Sequence, residues 1–330
     1  QYTRSGTLAL FTEWTVTLPH DLSLTAGIGH NTMKIALNDR IYVAGKPSQY
    51  SRDYSDRLSP HAAINKVFSK QFSLYASYSQ AYKAPVSSYF FIPFTGEVNT
   101  GLEPERGVQY EVGSKGSLLG DKLGYDVAFF QARFQNKMAA VAVPNAAGTA
   151  TAYSYIVNSG EQDNKGVEAA VRYTLYQAAT GPLRTIRPFA NLTYSDFRYK
   201  DYKFQTNALQ PAINYDGKRV AGVPRKVVNV GVDVVAAGGI YLNAVYNYRD
   251  PMVFTSDGVN RTTSYNLVNG KIGIRQSLSH HFDVDAYAGA TNITGEKYYY
   301  MVFVNQLPDA YLPAPKDPFI FGGINLKYNF

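Results

Sequence analysis

Lys165-Gly166-Val167-Glu168-Ala169-Ala170-Val171-Arg172-Tyr173-Thr174-Leu175 decides the fold. Val167, Ala169, Val171, Tyr173 and Leu175 share one face, and Glu168, Ala170, Arg172 and Thr174 share the other. A period of two is the signature of a β-strand with unlike faces. The same alternation recurs outward in both directions. Phe72, Leu74, Ala76, Tyr78 and Tyr82 alternate with Ser73, Tyr75, Ser77 and Ser79. Val228, Val230, Val232 and Val234 alternate with Asn229, Gly231 and Asp233. Near the end, Ile320, Ile324, Leu326, Tyr328 and Phe330 oppose Phe321, Gly323, Asn325, Lys327 and Asn329. Such stretches run about 10 to 16 residues, against about five or six for a globular strand. Strands of about 9–11 residues are what a tilted barrel strand needs to cross a bilayer.

Composition agrees with a membrane barrel. No run of about 18 apolar residues occurs, so the sequence offers no membrane-spanning helix. The mean hydropathy of −0.24 is no obstacle, because a barrel strand averages a lipid face with a wet face. The chain has 28 Tyr and 18 Phe among 330 residues, and Tyr suits a membrane–water boundary, with its ring in lipid and its hydroxyl in water. The formal charge of +7 comes from Lys and Arg scattered singly, without the basic block that nucleic-acid binding needs. Cys is absent, and no signal peptide precedes the first strand.

About thirteen strands are expected, near 7–18, 22–31, 59–68, 72–82, 106–117, 121–134, 164–176, 184–197, 220–236, 239–248, 263–278, 282–292 and 320–330. Short turns fall at Pro19-His20-Asp21, Ser69-Lys70, Leu119-Gly120-Asp121, Thr180-Gly181-Pro182, Ala237-Gly238-Gly239 and Ser279-His280-His281. Long polar loops fall between them, near 32–58, 83–105, 135–163, 198–219, 249–262 and 293–319. In an up-and-down meander alternate connections share a side, so all short turns lie at one end and all long loops at the other. That is the outer-membrane pattern of short periplasmic turns and long extracellular loops. The expected fold is therefore all-β, an antiparallel up-and-down transmembrane β-barrel. An odd count cannot close in this topology, because first and last strands would run parallel. The sequence thus reads as an incomplete barrel whose N-terminal strands are missing, with an open antiparallel sheet in its structure.

Several segments resemble the barrel part of TonB-dependent receptors. They are Phe11-Thr12-Glu13-Trp14; Ser59-Pro60-His61-Ala62-Ala63, followed by Leu74 to Pro85; Gly101-Leu102-Glu103-Pro104-Glu105-Arg106, running into Tyr110-Glu111-Val112-Gly113; Asn158-Ser159-Gly160, then Lys165-Gly166-Val167-Glu168; Val220-Ala221-Gly222-Val223-Pro224; and Thr291-Asn292-Ile293-Thr294-Gly295-Glu296-Lys297-Tyr298-Tyr299. They come in family order across the whole chain. The resemblance implies about the last 13 of 22 strands, so residues 1–330 form the C-terminal portion of the barrel. It also implies an N-terminal plug, absent here, and a TonB-type energy-coupling partner that acts through the missing N-terminal region. It implies residence in a bacterial outer membrane, and import of a ferric chelate (ferric citrate or a siderophore) without enzymatic activity. Three loop stretches, Val141-Ala142-Val143-Pro144, Phe254 to Arg261 and Val302 to Pro308, look most similar to ferric dicitrate-type siderophore receptors of Bacteroidota. The same architecture serves cobalamin, nickel or carbohydrate import, and a passive porin is a further alternative.

No catalytic constellation, cofactor motif or metal-ligand spacing stands out. His280 and His281 are neighbours in a turn, so their side chains diverge. A Lys or Arg facing lipid at the midplane costs about 2–4 kcal/mol, so Glu111, Lys115, Glu168, Arg172, Lys271, Arg275, Asp283, Asp285 and Lys327 are expected to face the lumen. The expected ligand contacts sit in or beside the long loops. Lys218, Arg219, Arg249 and Arg261 offer charge to an anionic chelate, and Tyr153, Tyr155, Tyr300 and Gln306 offer hydroxyl or amide groups.

Overall fold

The computed structural model describes residues 2–38, 45, 48–92, 95, 97–204, 208–305 and 311–329. Thirteen long strands make one antiparallel meander, in which each strand pairs with the strand next in sequence among them. They are β1 (Tyr2–Leu18), β2 (Leu22–Asn38), β3 (Gln49–Ser69), β4 (Phe72–Lys83), β5 (Glu105–Leu118), β6 (Leu123–Gln135) and β7 (Glu161–Tyr173). The meander continues through β8 (Leu183–Lys200), β9 (Lys226–Ala236), β10 (Ile240–Arg249), β11 (Tyr265–Ser277), β12 (Phe282–Thr291) and β13 (Phe319–Tyr328). The sheet is open, with β1 and β13 at its two ends among the described residues. Short and long connections alternate as the sequence predicts.

The pairing register settles which residues share a face, because directly opposed residues point to the same side. One continuous row joins Leu242, Ile272 and Ala288, and another joins Phe129, Val167 and Tyr194. This face carries exposed apolar residues on strand after strand, among them Trp14, Ile64, Val112, Val230, Ile272 and Ile324. It is the lipid face. Ile324, Leu326 and Tyr328 lie on it, 71%, 72% and 49% exposed. The nine charged residues expected to face the lumen all fall on the opposite side of the register. Lys327 opposes Asp283, and Asn329 Nδ2 donates to Asp283 at 3.0 Å. Tyr241 donates its hydroxyl to Asp285 at 2.8 Å, Arg275 pairs with the same carboxylate at 2.8 Å, and Lys271 lies over the Tyr241 and Tyr287 rings. Tyr75 likewise donates to Glu111 at 2.8 Å beneath Lys115.

The inner wall is laced by aromatic rings that lie over glycines on the neighbouring strand. Tyr75 opposes Gly113, Phe130 opposes Gly166, Phe189 opposes Gly231, Tyr241 opposes Gly273 and Phe321 opposes Gly289. A Cβ at Gly166 would stand 2.4 Å from Phe130 Cζ and 2.6 Å from the Tyr194 carbonyl oxygen. Glycine here supplies room for a ring, and this explains one residue of the Lys165-Gly166-Val167-Glu168 segment. Glycine serves backbone shape at the turn between β9 and β10, where Gly239 has φ +74° and its Cβ would overlap the Arg275 carbonyl.

Three expectations need correction. Residues 220–225 do not open a strand: β9 begins at Lys226, because Gly222 has φ +84° and Pro224 has no N–H to give a ladder. The described residues of the region 32–58 are largely strand rather than loop. Ile35 and Tyr54 of this region are buried with Phe90 from the connection after β4, with Met33 packed against them. The region 135–163 contains a hairpin, Met138–Pro144 with Thr151–Asn158.

Candidate functional site

The long connections gather at one end of the sheet. Three of them, after β8, β10 and β12, interlock around Tyr199. Its ring is stacked on Tyr202 at 4.2 Å between centroids. Its hydroxyl accepts from the Ala221 amide at 3.2 Å and shares a 3.0 Å hydrogen bond with Ser256 Oγ. Asn305 then grips Ser256 twice: its Oδ1 accepts from the Ser256 amide at 2.7 Å, and its Nδ2 donates to Ser256 Oγ at 2.9 Å. The Gly222 amide donates to the Val253 carbonyl at 2.7 Å, and the Asn305 amide to the Phe254 carbonyl at 2.8 Å. Tyr199, Tyr202, Tyr215, Phe254 and Ser256 are all buried. Burial pushes the Tyr202 hydroxyl up to about 12, so it stays protonated. Burial also tends to raise Asp257, but hydrogen bonds from Thr255 and the Val259 amide, with the Lys218 charge nearby, outweigh it and hold that carboxyl below its ordinary value. This network fixes three loops into one rim.

The other side of the mouth is held by charge. Glu103 takes Arg52 at 2.7 Å and Arg57 at 3.3 Å. The buried Glu105 takes Lys137 at 3.0 Å and the Met138 amide at 2.8 Å, which roots the hairpin of residues 138–158. Asn158 completes the root, accepting from the Glu103 amide and donating to the Glu103 and Asn136 carbonyls.

The described residues among those singled out from sequence lie in or beside the long connections. Arg249 ends β10 opposite Val227 and Tyr265. Its register places it on the lumen side, exposed, with its guanidinium 5.7 Å from the Tyr265 ring centroid. Tyr265 is 5.0 Å from Tyr298, which is stacked with Tyr300 at 6.3 Å. Arg249 and Tyr300 are therefore joined by a ladder of rings, and Tyr300 is 71% exposed. Arg261 bridges to Val253 through its backbone, with its side chain exposed. Lys218 donates to the Asp257 carbonyl at 2.8 Å, so it braces the loop that bears Arg261. Arg219 bridges to Arg198 through its backbone and is exposed. Tyr153 and Tyr155 lie half-buried on the separate hairpin, opposite Val143 and Val141. Gln306 lies outside the described residues.

Sequence reading missed Tyr265, Tyr298 and the knot of Tyr199, Ser256 and Asn305. Tyr298 stood in a quoted segment, whose Asn292 proves to be its organiser. Buried and at φ +51°, Asn292 accepts from the Glu296 amide at 2.9 Å and donates to the Glu296 and Lys316 carbonyls.

The family described as TonB dependent receptor-like, beta-barrel matches residues 1–293. The chain is 31% identical over 166 residues to the ferric-pyoverdine BN7/BN8 receptor of Pseudomonas putida, covering 49% of this chain and 18% of that protein. It is 27% identical over 279 residues to the ferrioxamine B receptor of Salmonella typhimurium, covering 83% of this chain and 34% of that protein. Among solved structures, the ferric citrate transporter FecA in its unliganded form shares the fold with a TM-score of 0.71 and 16% identity, covering 98% of this chain and 46% of that one. The chain thus spans about a third of the ferrioxamine B receptor and under half of FecA. It belongs to the TonB-dependent receptor β-barrel family, whose members reside in the outer membrane of Gram-negative bacteria.

Proposed function

We propose that the chain is the C-terminal barrel portion of a receptor that imports a ferric chelate, driven through an N-terminal plug by a TonB-type partner. The carrying observation is the similarity to the ferrioxamine B receptor over 83% of the chain. The rim fits the role. It is braced by its own hydrogen bonds, and it presents Arg249 and Arg261 to solvent, Arg249 beside a row of tyrosines. We further propose a carboxylate-rich ligand of the ferric dicitrate type, because guanidinium gives paired, charge-assisted hydrogen bonds to carboxylate. In this reading the chain is a receptor and not an enzyme, and it binds a pre-formed chelate without ligating iron itself.

Binding of ferric citrate, ferric hydroxamates and cobalamin to the full-length receptor tests this reading. A partly desolvated Arg–carboxylate hydrogen bond contributes about 1.5–3 kcal/mol. Arg249→Ala with Arg261→Ala should therefore weaken ferric citrate binding at least about tenfold, which is about 1.4 kcal/mol. Heat-modifiable gel mobility should stay normal. Unchanged affinity in the folded double variant would remove both arginines from the site. Binding of cobalamin alone would remove the iron reading.

A further inference from the structure

We infer that the outward face of β6–β9, at the upper edge of the apolar belt, holds the anionic phosphate headgroups of membrane lipids. The belt ends there at the row Phe129–Val167–Tyr194. The next outward row toward the long loops is Gln131–Lys165–Asp196, and the one after it is Arg133–Asp163–Arg198. Lys226 opposes Tyr194, and Arg225 lies 5.0 Å from the Tyr194 ring centroid while donating to its hydroxyl. At about 3.3 Å per residue these charged rows stand roughly 7 and 13 Å along the strands above Val167. Allowing for strand tilt, that is the depth of the headgroup layer, where the bilayer adds about 5–8 Å to each side of its core. Tyr110, opposite Gln131 and 5.2 Å from Tyr78, marks the same boundary.

The charges on this surface are unequal in their commitments. Each of these carboxylates already has a partner within the protein, although Asp196 Oδ1 has the Arg198 ion pair without a hydrogen bond. Asp163 takes Lys165 at 3.0 Å and Gln131 at 2.7 Å. Asp196 takes Arg198 at 3.0 Å, Asp250 takes the Tyr248 hydroxyl at 2.6 Å, and Glu161 takes Gln135 at 3.0 Å. The cations are committed unequally: Lys165 pairs with Asp163, and Arg198 is held by Asp196 and the Gly217 carbonyl. Arg133, Lys165, Arg198 and Lys226 are exposed, and the side chains of Arg133 and Lys226 have no hydrogen bond or close ion pair among the described residues. The placement is not repeated at the far end of the sheet. Along β10–β13 the same face carries Tyr246, Tyr248, Asn266 and Ile320, and no charged residue. A guanidinium or ammonium at this depth keeps its stem against the acyl chains and its head among phosphates, to which it gives charge-assisted bonds.

Lipid retention by the full-length receptor tests the assignment. The protein is purified in detergent and offered phosphatidylcholine alone, or with phosphatidic acid of the same acyl chains. Retained lipids are counted by native mass spectrometry. The wild type should keep phosphatidic acid several-fold over phosphatidylcholine. Arg133→Gln, Lys165→Gln and Arg198→Gln together should reduce that preference at least threefold, while Lys34→Gln on β2 should leave it unchanged. Lys226→Gln alone, which disturbs no ion pair, gives a second reading should the triple variant fold poorly, and it should lower the preference in the same direction. Equal retention of the two lipids by the wild type, or an undiminished preference in both variants, would overturn the assignment. So would full displacement of the lipid by inorganic phosphate, which would mark the surface as a site for the free anion.

Discussion

Ile272→Arg should cost the folded barrel about 2–4 kcal/mol, the price of a charge on the lipid face near the bilayer midplane. Ile272 sits between Leu242 and Ala288 on that face and is 55% exposed. The next residue, Lys271, faces the lumen over two tyrosine rings. Lys271→Arg therefore keeps its charge in a polar environment and should change stability by less than about 0.5 kcal/mol, as for most substitutions that touch no buried feature. Reversible unfolding of the full-length receptor in lipid vesicles reads the difference. Equal stability of the two variants would mean that the inside and outside of the wall have been exchanged.

The second large effect concerns the glycine–ring pairs. Gly166→Val should destabilise by about 1–3 kcal/mol, the usual cost of forcing extra atoms into a packed site. The added Cβ meets both the Phe130 ring and a backbone oxygen of the next strand, so rotating the ring alone does not relieve it. Gly6→Val on β1 is the matched control. A Cβ there meets nothing within 4 Å, and the β-branched residue suits a strand. The control should be neutral or slightly stabilising in the same unfolding measurement. Comparable losses in both variants would show that strand propensity, and not the ring, sets the need for glycine.

The wall was legible in the sequence because each strand carries its own evidence. Val167, Ala169 and Val171 could face only lipid once Glu168 and Arg172 were given to the lumen, and the register agrees. The errors share a physical cause. Met33, Ile35 and Leu37 alternate like a lipid-facing strand, yet Ile35 and Leu37 are buried inward at 2% and 4% exposure, so polar neighbours concealed a strand extension. Val220 and Ala221 are apolar because the loops bury them, and periodicity cannot tell that burial from a place in the wall. The site was legible only as residue types. Arg249 and Tyr300 were found, but the ladder through Tyr265 and Tyr298 joins positions that no local pattern connects. The bond between Ser256 and Asn305 spans 49 residues. Such contacts follow from the order in which strands assemble, which places the loops after β8, β10 and β12 side by side.

Uptake of radiolabelled iron by cells that make the complete receptor is the most direct test of chelate import. With ferric citrate or a ferric hydroxamate supplied, uptake should saturate with concentration, fall to background when the proton gradient is collapsed, and fall again when Arg249 and Arg261 are both replaced. Unsaturable entry of iron that persists without the gradient would describe an open pore and would contradict an energised receptor.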